Sequence, residues 1–212
     1  MLRYDRPRQM LALGMAGLAG YTDAIGFLAA NGYFVSFMSG NTTRLAVDLV
    51  AQPSSAWVPA GLIAGFVIGV AAGALVTDLA AARRKTALLS LVCALLIIAA
   101  TGATMGSAAL LAGTMVLAMG ALNNAFRRDG EVAVGVTYMT GALVRLGQGL
   151  AARIGGRETG AARAAGLLWL SLGSGAVAGA MATQALGSAA PALAAVAAGL
   201  LALTAARIEA RS

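Results

Sequence analysis

Long apolar runs alternate with short basic segments along this chain. Residues 10–30 and 59–81 are each long enough to cross a bilayer as a helix, which takes about 20 mostly apolar residues. Two longer runs without charge, 86–126 and 164–206, each have room for two such helices, with a break rich in glycine and small residues near the middle. The pattern predicts six transmembrane helices, at about 10–30, 59–81, 86–104, 108–126, 164–185 and 189–206.

The composition agrees with a membrane protein and excludes an ordinary soluble domain. Of the 212 residues only 11% are charged, against about 25% in soluble domains, and the mean hydropathy is +0.83. The first apolar run follows several arginines, as in a signal peptide, but it continues to residue 30 without a clear cleavage site. We therefore interpret it as a retained first helix of a single transmembrane domain, 1–212.

Basic residues are distributed asymmetrically between the predicted loops. With the N-terminus in the cytoplasm, 14 of the 15 lysines and arginines lie in inside segments, and only Arg44 lies outside. Cytoplasmic loops of membrane proteins carry this kind of excess. The bias predicts that both termini are cytoplasmic, and it explains the net charge of +7 without nucleic-acid binding.

One polar phrase occurs twice between the apolar runs. The stretches FMSGNTTRL at 37–45 and YMTGALVRL at 138–146 share methionine, a small hydroxyl residue, glycine, arginine and leucine at the same spacing. The same shift of 101 positions places Asp23 on Asn124. Each unit holds three predicted spans, and an odd number inverts the second unit relative to the first. The sequence thus predicts an all-α integral membrane protein made of two inverted three-helix repeats, about 10–104 and 108–206.

The repeated phrase is too polar to face lipid along a full span. Residues 36–51 and 137–153 are nevertheless compatible with helices. Polar or irregular backbone at membrane depth is tolerated inside a bundle or beside a water-filled cavity. We expect each segment to be a re-entrant or discontinuous half-helix in such a place, with a full span as the alternative. A half-helix N-terminus would direct free N–H groups and a positive dipole end at a ligand.

Polar side chains in and near these phrases are the candidates for solute binding. Arg44 and Asp48 lie four residues apart on one helical face, so they form either a structural ion pair or part of a site. Asp23 lies inside the first span, where an acid is costly and usually has a partner or a function. It either pairs with Arg44 or joins the asparagines of the second repeat in a polar site. The predicted substrate-binding residues are Asp23, Asn41, Thr42, Arg44, Asp48, Asn123, Asn124, Thr140, Arg145 and Gln148.

Small residues recur every four positions in the second and fifth predicted spans. A stripe of small residues lets two helices approach closely. The stripes predict tight packing, either inside the bundle or at a homodimer contact. Their members are Gly61, Gly65, Gly69 and Gly73, and then Ser171, Gly175 and Gly179.

Four segments carry a family resemblance: GYTDAIGF at 20–27, FMSGNTTRL at 37–45, ALNNA at 121–125 and TYMTGALVRL at 137–146. Together they resemble the YoaK-like family of bacterial inner-membrane proteins, and the resemblance covers nearly the whole chain. It implies a multi-pass protein of the bacterial inner (cell) membrane. The family has no assigned function, so the resemblance implies no substrate.

No motif of a catalytic, metal or cofactor site occurs in the sequence. There is no histidine, a single cysteine (Cys93) and no phosphate-binding glycine loop, so we predict no enzyme activity, no metal and no cofactor. The repeats, the half-helices and the intramembrane acid favour a small secondary transporter or permease for a small polar or anionic solute, with or without protons. The alternatives are an ion or solute channel and a non-transporting membrane scaffold.

Overall fold

Eight α-helices account for most of the residues that the structure describes. The computed structural model covers residues 5–128, 131–132, 137–157 and 160–211. The helices are α1 (Arg6–Ala29), α2 (Met38–Ala51), α3 (Trp57–Leu79), α4 (Arg84–Thr104), α5 (Ala108–Leu122), α6 (Met139–Ile154), α7 (Gly160–Leu186) and α8 (Ala190–Glu209). The predicted all-helical architecture is therefore confirmed, apart from one short hairpin.

That hairpin is two-stranded and antiparallel, and it lies between α5 and α6. Strand β1 (Arg127–Arg128) pairs with strand β2 (Glu131–Val132), which places Arg127 opposite Val132. The sequence pattern did not predict it, because two residues are too few to show the alternation that marks a strand.

Glycines in the left-handed region end the helices inside the two long apolar runs. Gly106 has a φ of 70° between α4 and α5, and Gly187 has a φ of 54° between α7 and α8. Ser107 then caps α5, since its hydroxyl accepts a 3.3 Å hydrogen bond from the N–H of Leu110. Both breaks predicted within these runs are confirmed.

Five segments of the described chain are long and apolar enough to cross a membrane. The fifth is 50 residues long and contains both α7 and α8. Membrane-spanning helices are therefore confirmed, whereas the predicted count of six spans is not confirmed by length and composition. The five segments are Arg6–Ala29, Pro53–Leu79, Ala81–Thr104, Ala108–Phe126 and Gly160–Glu209.

Helix α7 packs along α1 in the same direction. The Ser171 hydroxyl donates a 2.7 Å hydrogen bond to the Leu13 carbonyl, and two turns later Gly179 lies against the backbone of Tyr21. Residue numbers on the two helices rise together along this contact. The pair is therefore parallel, and the small side chains of α7 allow the close approach.

Helix α8 runs along α1 in the opposite direction. The Tyr21 hydroxyl donates a 2.9 Å hydrogen bond to the Ala190 carbonyl at the start of α8, whereas Gly14 lies against Leu201 further along it. Since α7 is parallel to α1 and α8 is antiparallel to it, the chain reverses at the turn around Gly187.

Helix α3 packs along α5 in the same close and parallel manner as α7 along α1. A Cβ at Gly69 would overlap the carbonyl oxygen of Leu117, and one at Gly73 would lie 2.8 Å from the Cα of Ala121. These glycines are required because backbone occupies the space that a side chain would need. A Cβ at Gly61 would instead meet no heavy atom within 4 Å. The glycine stripe therefore packs inside the bundle, except at its first member.

Helices α1 and α5 form the centre of the bundle. Ten of the 15 residues of α5 and ten of the 24 residues of α1 are buried, against two of 14 in α2 and one of 16 in α6. Helix α2 lies on α3 and helix α6 lies on α7. Of the two surroundings expected for the polar helices, the bundle interior is thus wrong for most of their length, because the close helix pairs already fill it, whereas a place beside a cavity stays a prediction at this point.

The C-terminal end of α8 caps the start of α4. The Glu209 carboxylate accepts hydrogen bonds from the backbone N–H of Lys85 at 2.8 Å and of Thr86 at 3.2 Å. The Thr86 hydroxyl adds a third, at 2.7 Å. A carboxylate at a helix N-terminus satisfies N–H groups that have no partner within the helix and interacts favourably with its dipole.

Candidate functional site

The two copies of the polar phrase meet at one cavity. It measures about 370 Å³ and lies between the N-terminal ends of α2 and α6, beside Phe66 near the middle of α3. Residues from equivalent positions of the two phrases face it, so the phrases form a common site although most of each helix lies outside the core. The lining residues are Ser36, Phe37, Met38, Ser39, Phe66, Thr137, Tyr138, Met139, Thr140 and Gly141.

The electrostatic character of the cavity comes from its two helix ends. Phe37 and Tyr138 occupy the cap positions of α2 and α6, and neither side chain accepts a hydrogen bond from the first turn of its helix. Ser39 and Thr140 add hydroxyl groups to the lining, and the described lining residues include no charged side chain. Two helix dipoles therefore direct their positive ends here, which favours a neutral polar or anionic solute.

Asp23 holds the loop that leads into α2. Its Oδ1 accepts hydrogen bonds from the backbone N–H of Val35 at 2.9 Å and of Ser36 at 2.8 Å. The carboxylate on α1 thereby fixes the segment that forms one wall of the cavity, but Asp23 is not itself a lining residue. Its observed role is to position the first polar phrase.

Asn41 fixes the same loop from the other side. Its amide oxygen accepts a 2.9 Å hydrogen bond from the N–H of Phe34, and its amide nitrogen donates a 2.6 Å hydrogen bond to the carbonyl of that residue. The side chain is fully buried. The predicted binding residue Asn41 is therefore engaged by the backbone.

The asparagine pair after α5 plays two different roles. Asn123 accepts a 2.9 Å hydrogen bond from the Thr137 hydroxyl, so it contacts the second phrase as Asp23 contacts the first. Asn124 instead donates a 2.9 Å hydrogen bond to the Val70 carbonyl on α3. The shift of 101 positions placed Asp23 on Asn124, but by contacts its counterpart is Asn123.

Arg44 and Asp48 are linked through Tyr33. The Tyr33 hydroxyl donates a 2.6 Å hydrogen bond to Asp48 Oδ2, and the Arg44 guanidinium carbon lies 5.5 Å from the centroid of the Tyr33 ring. The hydrogen bond to Asp48 raises the pKa of the Tyr33 phenol, which lies outside the five candidate spans. Within the described chain Arg44 forms no ion pair with Asp48 or Asp23, so both pairings considered from the sequence are wrong.

The remaining predicted binding residues are divided between the cavity and the exposed helix faces. Thr140 lines the cavity. Thr42 is exposed, and its hydroxyl donates a 2.9 Å hydrogen bond to the Met38 carbonyl one turn earlier. Arg145 and Gln148 are exposed on α6 and do not line the cavity.

The sequence prediction missed most of the lining, including Ser36, Phe37, Tyr138 and Phe66. Phe37 and Tyr138 begin the two repeated stretches and Ser36 directly precedes the first, but the prediction was based on the charged and amide residues that follow. Their signal was the repeat itself, since Phe37 and Tyr138 are aromatic at equivalent positions. Phe66 had no sequence signal, because it reaches the site only through the packing of α3.

The fold defines a multi-pass α-helical membrane protein with a cavity between the ends of two short helices. A family model described as "Protein of unknown function (DUF1275)" matches residues 11–206, and the chain belongs to this family. The expected resemblance to an uncharacterised multi-pass membrane family is thereby confirmed.

One relative is a UPF0700 transmembrane protein of Rhizobium meliloti (strain 1021), which is 39% identical over 141 residues. The match covers 66% of this chain and 60% of the relative, so it spans less than two thirds of the relative's length. No solved structure matches the chain.

Proposed function

We propose that this protein is a small secondary transporter or permease whose solute binds in the cavity between α2 and α6. The observation that carries the proposal is the meeting of two short polar helices at their N-terminal ends, around about 370 Å³ of space. Helices of 14 and 16 residues are shorter than the roughly 20 needed for a full span, so each is suited to end at membrane depth. Discontinuous helices of this kind form solute sites in secondary transporters.

Pairs of matching contacts support an inverted repeat. Gly20 on α1 lies against the Leu172 carbonyl of α7, and Gly120 on α5 lies against the Phe66 carbonyl of α3. The central helices are related by an offset of 100 residues and their partners by an offset of 106. In each half, the central helix packs against a helix of the other half. This reciprocal packing is what a pseudo-two-fold axis between two inverted units would produce.

The loops before the short helices agree with the same relation. Asp23 contacts Ser36, and Asn123 contacts Thr137, at offsets of 100 and 101 residues. Six spans follow if α7 and α8 each cross the membrane, since they run in opposite directions. Helices α2 and α6 would then enter from opposite faces and meet near the middle.

The proposed setting is the bacterial inner membrane, with both termini in the cytoplasm. The 14-to-1 distribution of basic residues supports this orientation. The solute is small and polar or anionic, because the cavity presents hydroxyl groups and helix N-termini. Coupling to protons and assembly as a homodimer remain predictions from the sequence, as does the absence of enzyme activity.

A cavity-filling variant tests the proposal. Gly141 lines the cavity, and a Cβ there would meet no heavy atom within 4 Å, so Gly141→Leu is the variant designed to fill the cavity. Gly113 on α5 is equally open and lies outside the cavity, so Gly113→Leu is the matched control. We expect Gly141→Leu to abolish uptake while the control retains it.

The solute must first be found, by comparing metabolite uptake between a deletion strain and its parent. Proteoliposomes containing the purified protein then measure flux against solute concentration. Saturable flux that Gly141→Leu removes supports the transporter. Flux that rises linearly with concentration would indicate a channel. Wild-type flux in a folded Gly141→Leu variant would show that the solute binds elsewhere. If the deletion strain and its parent show no difference in uptake although the protein folds normally, the scaffold hypothesis is favoured.

A further inference from the structure

A second and larger cavity lies between α6 and α7, away from the proposed solute site. It measures about 900 Å³ and shares none of its lining residues with the first cavity. Three leucines of α6 form its apolar wall, and all three are exposed in the monomer: Leu143, Leu146 and Leu150. Gly147, between them, leaves space that a Cβ would enter without meeting an atom within 4 Å.

Two arginines lie at one end of this cavity. Arg153 is in the last turn of α6 and Arg163 in the first turn of α7, and both are exposed lining residues. Within the described chain neither guanidinium pairs with a carboxylate. Residues 140–205 contain four arginines and one acid, Glu158, so the region is basic whatever that acid does.

The arginines lie at the connected end of an antiparallel helix pair, and the leucines extend from there along α6. Helix α6 ends at Ile154 and α7 begins at Gly160, whereas Leu146 lies further in, against Gly166 of α7. The end of the cavity at the short connection is therefore charged, and the rest of its described lining is apolar. A ligand that matches this arrangement has an anionic head and a long apolar body.

The corresponding helix pair of the first half lacks the charges. At the offsets that relate the two halves, Gln52 stands in place of Arg153 and Trp57 in place of Arg163. The basic pair is therefore not a requirement of packing a short helix against a long one. The basic pair occurs only in the second half of the chain.

We propose that the α6–α7 cavity binds an anionic phospholipid, whose phosphate lies between Arg153 and Arg163 and whose acyl chain lies along the three leucines. Basic pockets between membrane helices bind the head groups of anionic lipids. This lipid site is independent of the proposed transport function. Only its placement in the cytoplasmic leaflet rests on the proposed orientation.

Lipid binding to the purified full chain tests the site. Native mass spectrometry and thermal unfolding in a neutral detergent would compare phosphatidylglycerol with phosphatidylcholine. We expect selective retention of phosphatidylglycerol and a higher unfolding temperature with it. The Arg153→Gln/Arg163→Gln protein should bind phosphatidylglycerol about 25-fold more weakly, since each arginine near an anionic head group contributes about fivefold. The control, Arg207→Gln/Arg211→Gln, makes the same charge change at the end of α8 and should bind normally.

A second variant keeps the test valid if the double change disturbs folding. Gly147→Trp fills the apolar part of the cavity without altering charge, so it should also weaken phosphatidylglycerol retention. Equal retention of both lipids by the wild-type protein would overturn the proposal, as would stabilisation by inorganic phosphate alone to the same extent. It would equally be overturned if the arginine variant turned a dimer into a monomer while lipid retention stayed unchanged, because the face would then bind a second copy.

Discussion

The Asp23 carboxylate accepts a 2.8 Å hydrogen bond from the backbone N–H of Ser36, which follows it by 13 residues. The same oxygen accepts a second bond from Val35. An acid inside an apolar helix is thus used to hold the loop that forms one wall of the cavity. Since a buried acid is costly, its satisfaction by two backbone donors explains how it is tolerated.

Asp23→Asn should lower the stability of the protein. The amide keeps one acceptor oxygen but loses the charge, and a hydrogen bond to a charged group contributes about 1.5–3 kcal/mol against about 0.5–1.5 for a neutral one. We expect a loss of about 1–3 kcal/mol, measured by thermal unfolding in detergent. A variant with wild-type stability whose uptake no longer depends on the proton gradient would show instead that Asp23 carries a proton.

Gly69→Ala should strongly destabilise the α3–α5 contact. The added Cβ would overlap the Leu117 carbonyl oxygen, which belongs to the backbone and cannot turn aside. Forcing extra atoms into a packed contact typically costs about 1–3 kcal/mol, so unfolding temperature and detergent extraction yield should both fall.

Gly61→Ala is the matched control on the same helix. Its Cβ would meet no atom within 4 Å, and alanine is the better helix former by about 1 kcal/mol. We expect unchanged or slightly raised stability. If both variants behave like the wild type, the glycine stripe does not determine the packing of α3.

The sequence predicted those parts of the architecture that depend on a single local feature of the chain. Apolar length predicted the long helices, and the glycine-containing breaks predicted the helix ends at Gly106 and Gly187. The stripe of Gly69 and Gly73 predicted the close contact, because a missing side chain is visible in the sequence. The sequence did not show which backbone the glycine stripe packs against, since either another helix or a second copy of the chain could supply it.

The site was predicted less well, because its contacts depend on how the segments pack. Tyr33 lies between Arg44 and Asp48, and a spacing of four residues cannot reveal a third residue from the preceding loop. A fixed shift assigned Asn124 to Asp23, but α5 ends at Leu122 and a 3₁₀ turn follows. The tighter turn changes which asparagine faces the second phrase, and only the contacts show that it is Asn123.

Glu209→Gln should loosen the start of α4. Three hydrogen bonds reach this carboxylate, two of them from backbone N–H groups at the first turn of the helix. Loss of a capping acceptor typically costs about 1 kcal/mol, and loss of its charge at a helix N-terminus removes a further 0.3–1, roughly. Hydrogen exchange of the Lys85 and Thr86 amides should accelerate. Arg211→Gln, beyond the end of α8, should leave both rates unchanged; equal acceleration there would mean a general effect of charge.

Tyr33 and Asp48 should be energetically coupled, whereas Asp23 and Arg44 should not. The first pair shares a 2.6 Å hydrogen bond, and the second pair makes no ion pair in the described chain. Double-mutant cycles on unfolding measure this directly: Tyr33→Phe with Asp48→Asn should deviate from additivity by about 0.5–3 kcal/mol. Asp23→Asn with Arg44→Gln should be additive within about 0.5 kcal/mol. Strong coupling in the second cycle would instead support the Asp23–Arg44 ion pair that was considered from the sequence.

Topology reporters should place the loop after α2 outside and the other tested points inside. The distribution of basic residues predicts this, since Arg44 is alone in the segments predicted to be outside. Fusions after residue 55 should give high alkaline phosphatase and low green fluorescent protein signals, and fusions after residues 84, 157 and 212 the reverse. Helix α2 would then enter from the outer face and α6 from the inner face, as an inverted pair must. A cytoplasmic signal at residue 55 would place both short helices on the same side, which removes the inverted repeat and with it the two-sided access on which the transport proposal depends.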